Sequence, residues 1–415
     1  MKKLLFIFLF TSLSLFSYSQ VGIGTNSPLT GFHVADSNVL FRSSGDVPAT
    51  PKAFPSHGEG RKMMWYPEKA AFRAGYVGSF GATYWDSQNI GKYSFATGNN
   101  TRAGGNHSFA TGLASTANGN ESVALGNNGT ASAERSFAFN GTASGVGAVA
   151  IGSGAQATND DALAMGPSSI AGGLASVVLG PSIANGNFAV AIGLQNSASG
   201  QFSVAIGKNA RTARRQGSMV LGDGSAGFSS DSVYATANNQ MTMRFVGGYR
   251  LFTTMNLTSG VELYAGGGSW SSISDKNKKE NFTTVNKEAL LQKVAALPIT
   301  RWNYKSQPAS QQHIGPMAQD FNAAFKLDGL KNDTTINTVD IDGVNMVAIQ
   351  ALEARTSNLK AENEALKSQL TLLNQRLLAL EKTYAHTHNK RKRKDFIEQE
   401  ATISGVDKNS SSKKL

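Results

Sequence analysis

Residues 274–282 read SDKNKKENF, and Ser274 with Lys279 is the pair in this chain best suited to chemistry. A serine hydroxyl can attack the carbonyl that precedes its own amide. The acyl group then moves from nitrogen to oxygen and leaves an ester for water to hydrolyse. The attack needs a proton acceptor, and an uncharged lysine amine can serve. The bond broken would be Ile273–Ser274. Five residues along a regular helix turn two side chains to different faces. The pair therefore requires a non-helical turn, or pairing across chains. Asp275 is expected to hold such a turn by accepting backbone hydrogens. No other constellation competes: there is no cysteine, the six histidines lack metal-ligand spacing, and no phosphate loop or paired-carboxylate site is recognisable. No cofactor and no metal are expected.

The elements around the pair form a compact, partly helical module. Asn286 is placed to cap a helix over 287–296, whose Leu290, Leu291 and Val294 make one apolar face, and Pro298 stops it. RWNYK (301–305) reads as a strand. HIGPMAQDF (313–321) places Pro316 at the start of a second amphipathic helix through Phe321 and Phe325. Leu352, Leu359, Leu366, Leu373 and Leu380 then fall seven apart, with Ile349, Thr356, Asn363, Leu370 and Leu377 three before each, which is the seam of a coiled coil.

Upstream, the chain repeats itself. SFATG (94–98) recurs at 108–112, then as SVALG (122–126), AVAIG (148–152), SVAIG (203–207) and SMVLG (218–222), among others. The final positions of successive pentads are 14, 14, 14, 12, 14, 14, 13, 14 and 15 residues apart. So short a sustained period marks a solenoid whose coils cannot stand alone. Within each pentad the period is two. The bulkier side, such as Val204 with Ile206, is expected to form the core of a narrow coil, and the small side, Ser203 with Ala205, to let another coil or chain approach. The pentad glycines fall where the strand must turn.

At 415 residues the chain has room for two to four units, and its formal charge is +11. Lys2 and Lys3, the apolar LLFIFLF and the small or polar residues to SYSQ read as a secretory signal with cleavage near Ser17 and Ser19. No later segment is long and apolar enough to span a membrane. The run KRKRK (390–394) lies in a polar stretch and reads as solvated rather than as a nucleic-acid patch.

The repeat array resembles the head of trimeric autotransporter adhesins of the YadA type, a left-handed parallel β-roll built from three chains. The order SDKNKKENF, capped helix, aromatic strand, HIGPMAQDF, VDIDGVNMVAIQALE and coiled coil resembles the endosialidase-type intramolecular chaperone at the ends of phage tailspikes and tail fibres. A related self-cleaving module occurs in the eukaryotic myelin regulatory factor. The second resemblance implies a module that assembles three chains and then cuts itself free. It implies Ser274 as nucleophile, Lys279 as activating base and Ile273–Ser274 as the cleavage site, with Asp275, Gly315 and Gln319 as structural support. The enzymatic reading is then a serine peptidase with a Ser/Lys dyad and a single self-processing turnover.

The expected fold is mainly β with an α-helical C-terminus: a trimeric left-handed parallel β-roll, then a small α+β chaperone module and a coiled coil. The expected boundaries are 1–19 signal peptide, 20–91 β-rich tip, 92–225 β-roll, 226–273 collar or linker, 274–346 self-cleaving chaperone, 347–384 coiled coil and 385–415 basic polar tail. The expected function is an exported homotrimeric, adhesin-like fibre at the surface of, or secreted from, a Gram-negative-type bacterium. Its partner is itself, with an extracellular matrix or glycan ligand left open, and no nucleic acid or membrane span is expected. The alternatives are a fibre that does not cleave, and a glycan- or matrix-binding fibre whose C-terminal module only trimerises. A fibre with its own hydrolase, or a tethered DNA-binding protein released by cleavage, would need a catalytic domain or a span not seen here.

Overall fold

The computed structural model describes residues 20–54, 57–327 and 333–404; the expected signal peptide and the end of the basic tail lie outside them. The chain divides into two units, one of residues 1–249 with 263–269, the other of 250–262 with 270–415.

The first unit is a β-solenoid. Each coil adds one strand of three to five residues to a 13-stranded sheet and one two-residue strand to a 10-stranded sheet. Neighbouring coils pair in parallel and in strict register: Ala96 lies against Ala110, Ala110 against Ala124, and Ala191 against Ala205.

The alternation runs opposite to the expected sense. The small side is the core: Ala96, Ala110, Ala124, Ala138, Ala150 and Ala164 are fully buried, and Ala103, Ala117 and Ala131 face them from the second sheet. The bulkier side, including Phe95, Val123, Val204 and Ile206, lies on the outer face and is only partly covered. The reason is the length of the coil. Fourteen residues shared between two short strands and their turns bring the two sheets so close that small side chains, mostly alanine with valine at 178 and 220, fill the space between them. The serine of the pentad is buried as well, and its hydroxyl donates to the carbonyl three residues earlier. This holds for Ser108 to Gly105 (2.6 Å), Ser122 to Gly119 (2.6 Å) and Ser203 to Gly200 (2.7 Å). A serine there satisfies a turn carbonyl that a dry lumen would leave unpaired.

The glycine requirement is visible at Gly207, which has φ +102 and whose hypothetical Cβ would lie 1.8 Å from the carbonyl oxygen of Gly222.

An antiparallel hairpin, Gly60–Tyr66 with Ala71–Val77, opens the larger sheet, and its second strand pairs in parallel with Phe95–Asn99. At this end the fully buried Arg73 donates to the carbonyls of Phe72, Ser94 and Ala103 and to the Ser94 hydroxyl. Burial pushes its guanidinium down to about 10, which leaves it charged at neutral pH. At the other end Val233–Tyr234 and Met241–Arg244 join the two sheets, so the solenoid continues into the expected collar.

In the second unit, α1 (Lys287–Ala296) is capped by Asn286, which accepts from the Ala289 amide at 3.0 Å. Its Leu290, Leu291 and Val294 pack on Ala348 and Ala351 of the last helix, and Glu288 pairs with Arg355. The aromatic strand is shorter than expected: Thr300–Trp302 pairs antiparallel with His313–Gly315, and Tyr304 already belongs to the turn closed by Gln307. Pro316 stands just before α2 (Ala318–Phe325), where Met317 occupies the N-cap. The last helix, α3 (Thr338–Ser404), runs 67 residues, about 100 Å. It continues through much of the stretch expected as a tail.

Candidate self-cleavage site

The site begins at the end of a strand. Ser271 and Ser272 pair antiparallel with Glu262 and Val261, and the Ile273 amide donates to the Gly260 carbonyl at 3.2 Å. The residue before the candidate bond is therefore tied down by backbone hydrogen bonds. Directly after Ser274 the chain turns. The Asp275 carboxylate accepts from the Asn277 amide at 2.9 Å, and Lys276–Lys278 forms one 3₁₀ turn. Lys279 leaves that turn in an extended conformation, φ −123 and ψ 153.

The result is the non-helical turn that the spacing demanded. The tight turn folds Lys279 back over the serine, and its Nζ donates to Ser274 Oγ at 2.7 Å. A hydrogen bond of this length is a path for the hydroxyl proton whenever the amine is uncharged. Ser274, Asp275 and Lys279 are exposed, while Ile273 is half-buried.

The other expected support residues sit elsewhere in the module. Gly315 ends the strand opposite Thr300, and Gln319 lies in the first turn of α2. Gln319 lines a cleft of roughly 570 Å³ with Trp302, Tyr304, Pro316, Met317 and Ile336. A Cβ on Gly315 would come no nearer than 4.0 Å to a neighbouring group, the Trp302 indole nitrogen. The space around it would accept a side chain.

Two features escaped the sequence reading. One is the anchoring of Ile273 by Gly260, a residue thirteen positions away at the start of the strand Gly260–Tyr264. The other is the cluster of Trp302, Tyr304 and His313, with ring centroids 4.8 to 5.8 Å apart and the His313 ring bonded to Gln307 at 3.0 Å. Histidine heading the HIG motif was the available signal for the second. Nothing local signalled the first.

Residues 274–330 match the family model described as the chaperone of endosialidase. Six segments between 90 and 210 match the YadA head domain repeat. The chain carries an endosialidase-type chaperone module behind an array of YadA head repeats. This combination supports an adhesin- or fibre-like protein. The chaperone match opens on Ser274, the serine that accepts the lysine bond, and ends just beyond α2. No curated protein matches the chain. Among the described residues no group of His, Cys, Asp or Glu is arranged as metal ligands, and no helix is long and apolar enough to cross a membrane.

Proposed function

We propose that this protein is an exported homotrimeric fibre subunit whose endosialidase-type module drives assembly and then cuts the Ile273–Ser274 bond. The observation that carries the cleavage is the 2.7 Å bond between Lys279 Nζ and Ser274 Oγ, immediately beside an Ile273 fixed at a strand end. With the amine uncharged, Lys279 accepts the hydroxyl proton as Oγ attacks the Ile273 carbonyl carbon. The C–N bond breaks, the Ser274 nitrogen takes up the proton, and Ile273 is held to Oγ as an ester. Water then cleaves the ester, leaving an Ile273 carboxylate and a chain that begins with Ser274.

Two faces support assembly. The outer face of the larger sheet carries a register-aligned apolar column, in which Phe95, Phe109, Val123, Phe137 and Val149 follow one another. On α3 the five seam leucines are 50–67% exposed in the single chain. Burying a leucine gains about 1.5–3 kcal/mol, so both faces favour further copies of the chain. The exposed dyad supports a coupling of cleavage to assembly. In the single chain water surrounds the serine and lysine, and partner chains packed there would exclude it. Export rests on the basic and apolar start of the sequence.

Intact mass together with native sizing tests this reading. The expected result is a trimer and a fragment beginning at Ser274. Ser274→Ala and Lys279→Met should leave the chain whole while trimers persist. A wild-type chain that forms trimers and stays whole overturns the cleavage, and a monomer overturns the assembly.

A further inference from the structure

The distal part of α3 carries a charge pattern that assembly and cleavage do not use. Lys390, Arg391, Lys392, Arg393 and Lys394 are consecutive, helical and exposed. Five successive residues at 100° per step reach every side of a helix. Among the described residues Lys394 approaches Glu398 at 4.0 Å, and the other four have no acidic partner that close. Like charges three and four apart on a helix repel, so an anion arriving here would relieve unfavourable interactions.

The heptad explains why the segment stays open. The positions occupied by leucine from Leu352 to Leu380 continue as Thr387 and Lys394, and their companions continue as Tyr384 and Arg391. If the seam upstream packs against other copies, as proposed above, it ends here, because Arg391 and Lys394 would bring cations together at its centre. After the cations and a single acid, Asp395, come Phe396 and Ile397, 62% and 64% exposed. Ile397 lies in a shallow groove whose walls include the stems of Lys390, Arg393 and Lys394.

Cations alone would suit any polyanion. Bulky apolar side chains among them select a surface that is anionic outside and apolar just beneath. A nucleic-acid duplex would satisfy the charges and leave Phe396 and Ile397 in water. At a lipid surface the lysine and arginine heads meet phosphates, their stems lie along the boundary, and Phe396 and Ile397 enter it. We propose that residues 390–397 dock this protein on a membrane surface through phosphate-bearing lipid headgroups, without spanning it.

The test uses the full chain carrying Ser274→Ala, so that the docking segment stays attached whether or not the wild type cleaves. It is sedimented with vesicles of phosphatidylglycerol and phosphatidylcholine, and with vesicles of phosphatidylcholine alone. The expected result is at least tenfold stronger partitioning onto the anionic vesicles, weakening as salt rises. Replacing all five cations by glutamine should remove that preference, and Lys390→Arg with Lys392→Arg and Lys394→Arg should keep it. Phe396→Ser with Ile397→Ser should weaken binding severalfold at unchanged charge. Equal partitioning onto both vesicles overturns the proposal, as does full binding by the glutamine variant or by the serine pair. Binding to duplex DNA without binding to vesicles overturns it as well.

Discussion

Ser274 and Lys279 are separated by a stretch that no regular element could close, and one capped 3₁₀ turn closes it. The sequence showed both the reactive types and the need for a turn, because side-chain chemistry and helical geometry are local properties. It also pointed to Asp275 as the residue holding that turn, and the Asp275–Asn277 bond has that form. The Ile273 anchor was illegible, since the partner is a carbonyl on a distant strand and carbonyls are the same in every residue. Glycine at the pentad end is a second residue-scale requirement. Gly207→Ala is expected to cost the solenoid about 1–3 kcal/mol, from a strained φ and a clash with the Gly222 carbonyl. Gly224→Ala, where the added Cβ meets nothing within 4 Å, should stay within about 0.5 kcal/mol. Chemical denaturation followed by circular dichroism separates the two.

At the scale of elements, the end of the solenoid near the collar is stitched by charge. Asp223 accepts from the Ser225 hydroxyl, from the Val246 amide and from Arg244. The Ser225 hydroxyl first, then the Val246 amide, hold its carboxyl down at about 2, against an ordinary 3.8. A carboxylate lowered on folding contributes stability that is complete above its unfolded value and disappears as pH falls through its folded value. The wild type should therefore lose stability between about pH 4 and pH 2, and Asp223→Asn should flatten that part of the profile. Thermal melts across this range make the comparison. Helix α1 was readable to its bounds because cap, apolar face and proline are all local signals. The strand at 300–302 was not, because where it stops depends on pairing with His313–Gly315.

For the whole molecule, the exposed leucine seam and the apolar outer column are the faces on which the proposed assembly would draw. Leu366→Asp with Leu373→Asp is expected to shift native size toward the monomer and to suppress the Ser274 fragment, with the β-sheet signal of the solenoid retained. Unchanged cleavage in a monomeric variant would uncouple the two events. The short period, the pentad alternation, the chaperone motifs and the heptads all stood in the sequence, because each repeats or clusters within a few residues. They were enough to determine a β-roll followed by an α+β module and a long helix. Which side of the pentad faces inward was decided only by tertiary structure. Alternation defines two faces but not their sense, and closure of a fourteen-residue coil leaves a narrow space filled mainly by alanine methyls and serine hydroxyls. The closeness of Lys279 to Ser274 was decided in the same way, by how the backbone folds back around the bond that Asp275 accepts.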